Sequence, residues 1–203
     1  MALVDFYKTL QNPSEPILFK EKHSKFYGYA FPVEDEESIR HHLDQLKKEH
    51  PGAVHYCYAW QLGTNTFRYR VNDDGEPAHT AGTPIYGQIQ SFGLTNVLVV
   101  IVRFFGGIKL GVGGLITAYR TAAQMAIEQA EIVEKPITQK LEISFGYANL
   151  NKAMRIIKEK NLEIALQEMA LDCKIVLLVR ASQMEAARQA FESVFGIAVK
   201  DPD

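Results

Sequence analysis

Residues 92–123, FGLTNVLVVIVRFFGGIKLGVGGLITAYRTAA, join the most apolar run of the chain to a helical pattern through a turn rich in glycine. The run at residues 97–102 is continuously apolar, which predicts a central strand that is buried on both faces. Residues 115–130 place Leu115, Ala118 and Tyr119 on one helical face. The stretch therefore predicts a buried strand, a tight crossover and a helix that begins after Gly114.

The crossover has the residue types of a site that receives an anion. Glycine allows close backbone approach, and a helix N-terminus presents unpaired N–H groups and a partial positive charge. Arg103 and Lys109 add two cations, so a phosphate or a carboxylate is the expected ligand. A crossover that needs glycine only for packing is the alternative, since the spacing matches neither a Walker loop nor a dinucleotide fingerprint. The predicted anion-binding residues here are Arg103, Gly106, Gly107, Lys109, Gly111, Gly113 and Gly114.

A second polar segment, DDGEPAHTAGTP at residues 73–84, concentrates acidic side chains. Asp73, Asp74 and Glu76 with His79 could hold a metal or serve as general acid and base, and we add the three carboxylates to the candidate site. A plain solvated turn is the alternative, because Asp-Gly and Glu-Pro are turn signals and the spacing of a calcium loop is not met. We predict no metal and no cofactor.

The histidine of the aromatic strand HYCYAW, His55, is expected to be structural. If this strand lies beside the acidic segment, His55 and His79 could converge, which the sequence does not decide.

Composition sets few limits on function. The chain has 203 residues, 47% of them apolar, a net charge of -2 and two cysteines. This length suits one large domain or two small ones. Two cysteines do not make a disulfide framework, and the small net charge gives no global attraction to nucleic acid or lipid. Neither a membrane span nor a signal peptide is recognisable, so we expect a cytoplasmic protein and no membrane partner.

The remaining patterns predict a two-domain α+β protein. The first part reads as strands at 16–33, a helix at 36–50, strands at 54–60 and 67–71, and a short helix after Pro84. Glu134-Lys135-Pro136 reads as the linker, which gives domains at 1–136 and 137–203. The second domain alternates strand, helix, strand, strand, helix, strand, the ferredoxin-like (βαββαβ) order.

The predicted helix at 148–161 carries a basic stripe formed by Lys152, Arg155 and Lys158. These side chains are candidates for contact with RNA phosphates, or simply a solvated face.

Together, DDGEPAHTAGTP and VVIVRFFGGIKLGVGGLITAYRTAA resemble the YigZ/IMPACT family over nearly the whole chain. The resemblance implies an N-terminal α/β domain of the ribosomal-protein-S5-domain-2-like type and a ferredoxin-like C-terminal domain. It also implies a translation-linked role, because the eukaryotic members resemble translational regulators that bind a partner of a stress-activated kinase. The family usually has glycine at the position of His79, so the resemblance argues against a catalytic or metal role for His79 and implies that the position does not require a left-handed backbone.

Three interpretations remain open. The first is a non-enzymatic regulator that binds the ribosome, RNA or a translation factor. The second is an enzyme that acts on a small phosphorylated or carboxylated substrate, which requires the acidic segment to face the glycine turn. The third is a protein-interaction scaffold in which both motifs are structural.

Overall fold

A computed structural model describes residues 5–201, which divide into two compact units. The first unit is Tyr7–Lys135, and the second holds the described residues from Pro136 onward together with those up to Phe6. Five α-helices and eleven strands within these residues give the mixed α and β composition that was predicted. Within the same residues, no helix is both long enough and apolar enough to cross a membrane.

The first unit contains seven strands and three helices. They are β1 Phe6–Leu10, β2 Ile17–Glu21, β3 Ser24–Pro32, α1 Glu36–Glu49, β4 His55–Leu62, β5 Arg68–Asn72, α2 Gly82–Ser91, β6 Val97–Phe104, α3 Gly111–Glu128 and β7 Ile132–Pro136. Phe6 of β1 and Pro136 of β7 are exceptions, because they fall in the second unit.

The main sheet of the first unit has the order β2-β3-β6-β4-β5, and every pairing is antiparallel. The apolar run of β6 lies at the centre, as predicted. Its side chains alternate: Val97, Val99 and Ile101 pack against α2 and α3, whereas Leu98 and Val100 pack on the face covered by α1. The same alternation places Arg103, near the end of β6, on the sheet face that packs against α2 and α3.

The start of α3 differs from the prediction. The helix begins at Gly111, so Gly113 and Gly114 lie in its first turn rather than before it. Leu110 and Leu115 are buried in the core, and their burial fixes this turn despite the low helix propensity of glycine. At Gly114 a Cβ would lie 3.0 Å from the Leu110 Cβ, so glycine lets the turn pack closely on Leu110.

A small second sheet joins β1 to β7. Local patterns predict no strand near the beginning of the chain and a linker at residues 134–136, but the structure has β1 there and assigns those three residues to β7. The reason is long-range pairing, which local patterns do not reveal: the Gln11 N–H donates to the Glu131 carbonyl over 2.9 Å, and Thr95 N–H donates to the Lys8 carbonyl over 2.9 Å.

The second unit contains four strands and two helices in the predicted order. They are β8 Thr138–Gly146, α4 Leu150–Glu159, β9 Glu163–Glu168, β10 Asp172–Arg180, α5 Met184–Glu192 and β11 Ile197–Lys200. The strands form one antiparallel sheet of order β11-β8-β10-β9. Leu141, Ile143 and Phe145 of β8 share the buried face, as their alternation predicted.

Candidate functional site

The first unit has a cavity of about 480 Å³ where β6 ends and α3 begins; we call it the Arg103 cavity. It is lined by Val54, His55, Glu76, Pro77, Arg103, Phe105, Lys109, Leu110, Gly111, Val112 and Leu115. Polar groups are gathered on its Arg103 side, and aliphatic and aromatic side chains form most of the remaining wall. The predicted requirement that part of the acidic segment face the glycine turn is thus met by one carboxylate, that of Glu76.

Arg103 and Glu76 form a buried ion pair. The Arg103 Nη1 donates to the Glu76 Oε1 over 2.5 Å, and the two side chains are 5% and 4% exposed. The Tyr119 hydroxyl donates to the same carboxylate oxygen over 2.7 Å. The guanidinium therefore does not face an incoming anion as an isolated cation, because Glu76 already balances its charge.

The rest of the guanidinium is enclosed by two rings and one hydroxyl. Its carbon lies 5.4 Å from the centre of the Phe26 ring and 5.5 Å from that of Phe105. The Nη2 donates to the Ser24 Oγ over 3.3 Å. The Nε is buried and has no hydrogen-bond partner among residues 5–201. One donor nitrogen of this buried cation is thus left unpaired, which is costly inside a protein.

His55 stands beside the ion pair with a defined tautomer. Its Nδ1 lies 2.7 Å from the Asp74 carbonyl oxygen, which only accepts, so Nδ1 carries a hydrogen. The other nitrogen, Nε2, lies 3.8 Å from the Glu76 Oε1. His55 and Glu76 therefore line the Arg103 cavity together, whereas His79 lies apart, with its Nδ1 3.4 Å from the Thr83 Oγ1.

Cys57 and Tyr119 extend the polar cluster into the core. The Cys57 thiol lies 3.0 Å from the Asp73 carbonyl oxygen and 3.3 Å from the Tyr119 hydroxyl. Burial raises the pKa of the Cys57 thiol and that of the Tyr119 hydroxyl above their ordinary values. Both groups stay protonated near neutral pH, so Cys57 is not a thiolate nucleophile.

The three carboxylates of the acidic segment have separate roles. The Asp73 carboxylate accepts from the N–H groups of His79, Ala81 and Gly82 at 2.9, 2.9 and 2.8 Å, and so anchors the start of α2. The Asp74 carboxylate accepts from the Tyr56 N–H over 2.6 Å and ties the segment to β4.

Only Glu76 of the three lines the Arg103 cavity. Within residues 5–201, no group of three or more His, Cys, Asp and Glu side chains is placed to hold a metal ion.

The glycines of the crossover differ in their structural roles. Gly106 is a packing glycine, because a Cβ there would lie 2.1 Å from the His23 carbonyl carbon, and its N–H donates to the Ser24 Oγ over 3.2 Å. Gly111, at φ 76°, lines the cavity, and no side chain caps the N-terminus of α3. Gly107 has φ 85°, and a Cβ at Gly113 would meet nothing within 4 Å. The structure thus brings Lys109 and Gly111 to Arg103 and leaves Gly106 to packing.

The backbone at His79 corrects one expectation. His79 has φ 63°, in the left-handed region, so the residue adopts the conformation that glycine adopts without strain. The presence of histidine here does not show that the position tolerates any backbone geometry. The Asp73 hydrogen bond to the His79 N–H helps to hold the strained turn.

The second unit presents an exposed apolar end that local sequence patterns do not predict. Tyr147, Leu171 and Phe195 are 64%, 90% and 97% exposed. The Tyr147 N–H donates to the Leu171 carbonyl over 3.2 Å, and the Asn149 side chain donates to the Phe195 carbonyl over 3.2 Å, so three turns meet at one end of the sheet. The apolar spacing of Phe195 after Met184 and Phe191 predicts a buried helical position, but α5 ends at Glu192 and leaves Phe195 exposed. Tyr147 lies in a short 3-10 helix and Leu171 between β9 and β10, so the fold brings the three side chains together.

The predicted basic stripe lies on α4, which begins just after Tyr147. Lys152, Arg155 and Lys158 are all exposed. Arg155 also lies 3.6 Å from Glu159 in an exposed ion pair, which is weak and competes little with a phosphate.

Comparison with known proteins gives a consistent family likeness. The family described as the Impact N-terminal domain matches residues 22–127. An IMPACT family member of Haemophilus influenzae is 32% identical over 86% of this chain and 86% of its own length. The IMPACT family member YigZ of Escherichia coli is 35% identical over 63% of this chain and 65% of its own.

Two further similarities are more distant. Protein IMPACT of Homo sapiens is 29% identical over 70% of this chain, which spans 43% of the human protein. A crystal structure described as that of a hypothetical protein superimposes with a TM-score of 0.76 and 24% identity, and covers 99% of both chains. This last likeness concerns the fold alone.

Proposed function

The chain belongs to the IMPACT family, and on that premise we propose that it is a non-enzymatic, translation-linked regulator whose partner is RNA, free or within the ribosome. Family membership supports the link to translation. The geometry of the second unit favours RNA over a protein translation factor as the direct partner.

One observation carries this proposal: exposed aromatic side chains lie next to a basic helix. Phe195 and Tyr147 offer ring faces on which unpaired bases can stack, a contact that tolerates any base sequence. Lys152, Arg155 and Lys158 follow along α4 and can pair with successive phosphates. Stacking groups and cations side by side are the usual elements of a surface for single-stranded nucleic acid.

The charge of the protein makes this binding local. Net charge is -2, so affinity for RNA comes from the basic stripe and the exposed aromatic side chains rather than from a general positive field. With three phosphate contacts, affinity for a single strand should fall roughly 20-fold between about 50 and about 200 mM salt.

The test is the binding of a labelled single-stranded RNA oligomer to the full chain, followed by fluorescence anisotropy at several salt concentrations. Phe195→Ala should weaken binding at least about fivefold at every salt concentration, because it removes a stacking face. Lys152→Glu with Lys158→Glu should weaken binding and flatten the salt dependence. Lys47→Glu with Lys48→Glu, the same change of net charge on the exposed side of α1, is the control and should change neither.

RNA binding that ignores salt or survives both sets of variants would overturn this proposal. Binding of the same variants to ribosomes, with equal loss, would support ribosomal RNA as the physiological partner. Retained ribosome binding with lost RNA binding would point instead to a protein partner, and against our choice.

We also propose a fold type for each of the two domains. We propose the S5-domain-2-like type for residues up to 136 and the ferredoxin-like type for residues 137–203; the antiparallel order β11-β8-β10-β9 supports the second. A cytoplasmic location remains a prediction.

A second candidate function is an enzyme acting on a small carboxylated or phosphorylated substrate. The observation that favours it is that His55, Glu76 and Gly111 line one cavity with Arg103. His55 Nε2 would then serve as the proton acceptor, since Nδ1 is held by the Asp74 carbonyl. Conversion of a cell-extract metabolite by the wild type and not by His55→Gln would support it.

A further inference from the structure

We infer that the Arg103 cavity binds a small organic monocarboxylate with an apolar body, the carboxylate directed to Arg103 and Lys109. This inference goes beyond RNA binding and does not depend on it. It shares a location with the second candidate function and names the ligand, but it requires no turnover.

The carboxylate end is indicated by an unsatisfied donor. The Arg103 Nε is buried, lies on a side chain that is 5% exposed, and has no hydrogen-bond partner within the described residues 5–201. The Nη1 and Nη2 each donate one N–H, to Glu76 and Ser24. Buried cationic donors are normally paired, and an acceptor oxygen arriving from the cavity would pair this one.

The charge count favours a monoanion. Arg103 and Glu76 neutralise each other within the ion pair, which leaves Lys109 as the excess cation of the cavity wall. The uncapped N-terminus of α3 at Gly111 adds only a partial positive charge. A carboxylate matches this balance, whereas a doubly charged phosphate would bring a second negative charge close to Glu76.

The apolar body is indicated by the walls. Val54, Phe105, Leu110, Val112 and Leu115 line the cavity, and three of them, Val54, Phe105 and Val112, are exposed rather than packed into the core. A volume of about 480 Å³ lies within the range of small-molecule sites. Burying these side chains against an apolar ligand removes surface that otherwise faces water.

Phe105 lies between the charged and the apolar parts of the proposed site. Its ring centre is 5.5 Å from the guanidinium carbon, the residue is 47% exposed, and it lines the cavity. For the ligand carboxylate to reach the Arg103 Nε, we expect the exposed Phe105 side chain to rotate.

The test uses four probes with the full chain: hexanoate, hexanamide, n-hexyl phosphate and acetate. Binding is followed by isothermal titration and by chemical-shift changes of labelled backbone amides of residues 103–115. Hexanoate should bind at least about tenfold more tightly than hexanamide, which lacks the charge, and than acetate, which lacks the body.

Three variants separate this site from a nonspecific one. Lys109→Gln should weaken hexanoate binding about fivefold or more and leave hexanamide unchanged. Val112→Asp should weaken all hexyl probes, since it places a carboxylate in the wall. Lys47→Gln, an exposed change on α1, should leave every affinity as in the wild type. Each variant lies on the surface, so failure to fold does not obscure the result.

Several outcomes would overturn the inference. Equal binding of hexanoate and hexanamide would remove the role of the cations, and tighter binding of hexyl phosphate would replace the carboxylate by a phosphate. Absence of binding by all four probes would remove the site. The RNA-binding variants Lys152→Glu and Phe195→Ala should leave hexanoate affinity unchanged, so failure of RNA binding and failure of this site are distinguishable. Proton NMR of hexanoate after long incubation reports turnover separately.

Discussion

Arg103 and Glu76 lie 27 residues apart in sequence, yet the Arg103 Nη1 and the Glu76 Oε1 are separated by 2.5 Å, with both side chains almost fully buried. Each charge depends on the other for compensation, because burial to 5% and 4% exposure removes most of the contact with bulk water. The pair joins the acidic segment to the end of β6, so it is a structural link as well as one wall of the Arg103 cavity.

Glu76→Gln should destabilise the first unit by about 3 kcal/mol or more, because it leaves a buried guanidinium without an opposite charge. Urea unfolding followed by circular dichroism measures the change. Glu36→Gln is the matched control: Glu36 pairs with Arg68 over 3.2 Å, but the two side chains are 51% and 65% exposed. That change should cost less than about 1 kcal/mol. Equal losses for the two variants would contradict a buried, interdependent pair.

Gly106→Ala should destabilise the protein by about 2 kcal/mol or more, since the new Cβ would meet the His23 backbone at 2.1 Å, where only a main-chain shift makes room. Gly87→Ala supplies the comparison. A Cβ at Gly87, inside α2, meets nothing within 4 Å, and alanine there should stabilise the helix by about 0.5–1 kcal/mol. Thermal unfolding should show a lower melting temperature for Gly106→Ala and a higher one for Gly87→Ala. An unchanged melting temperature for Gly106→Ala would show that the crossover and the residues at the start of β3 are not in close contact.

His79→Gly should stabilise the protein by about 0.5–1 kcal/mol, because relief of the left-handed strain exceeds the extra freedom that glycine has in the unfolded chain. The position has φ 63° and the side chain makes only a 3.4 Å contact to Thr83. His79→Ala keeps the strain and should bring no gain. If the two variants unfold at the same denaturant concentration, the strain at this position is negligible.

Stability should fall in mild acid partly through His42. Burial, and next the neighbouring His41, lowers the pKa of His42 from its ordinary value of 6.5, and its buried Nδ1 has no hydrogen-bond partner in the part of the chain that the structure describes. The unfolded chain thus binds the proton more readily. The stabilising contribution is complete above pH 6.5 and is lost as the pH falls through the lowered pKa of the folded state.

The check is the difference in urea midpoint between about pH 7.5 and about pH 5. His42→Phe, which keeps the stack on Phe31 at 4.1 Å between ring centres, should shrink that difference. His41→Gln, on the exposed side of α1, should shrink it less. A His42→Phe protein with the full acid sensitivity of the wild type would assign the effect to other groups.

Local patterns predicted the elements of this fold better than their partners. Burial was predictable from spacing in two places: the alternation of Leu141, Ile143 and Phe145, and the continuous apolar run of β6. The pairing of β1 with β7 has no such signal, since it joins residues more than a hundred positions apart and depends on the completed unit. The start of α3 was misplaced because burial of Leu110 outweighs the low propensity of the glycines that follow it.

The candidate site was predicted in composition but not in arrangement. Arg103 at the end of a buried strand pointed to the crossover, and the structure adds the ion pair between Arg103 and Glu76. Asp73 looks equivalent to Glu76 in sequence, yet it caps α2 because three N–H groups converge on it. The spacing of Phe195 after Met184, Ala187 and Phe191 predicts a place on the apolar face of the last helix, and this prediction is wrong, because α5 ends at Glu192 and Phe195 is 97% exposed.

The pairing of β1 with β7 also bears on the order of events at the ribosome. Among the elements of the first unit, β1 is synthesised first and β7 last. β1 therefore remains unpaired while α1, α2 and α3 are synthesised, until its partner β7 emerges. The small sheet can close only when residues up to about 136 have cleared the exit tunnel. A nascent chain arrested before that point would hold a main sheet and its helices with one strand still unmatched.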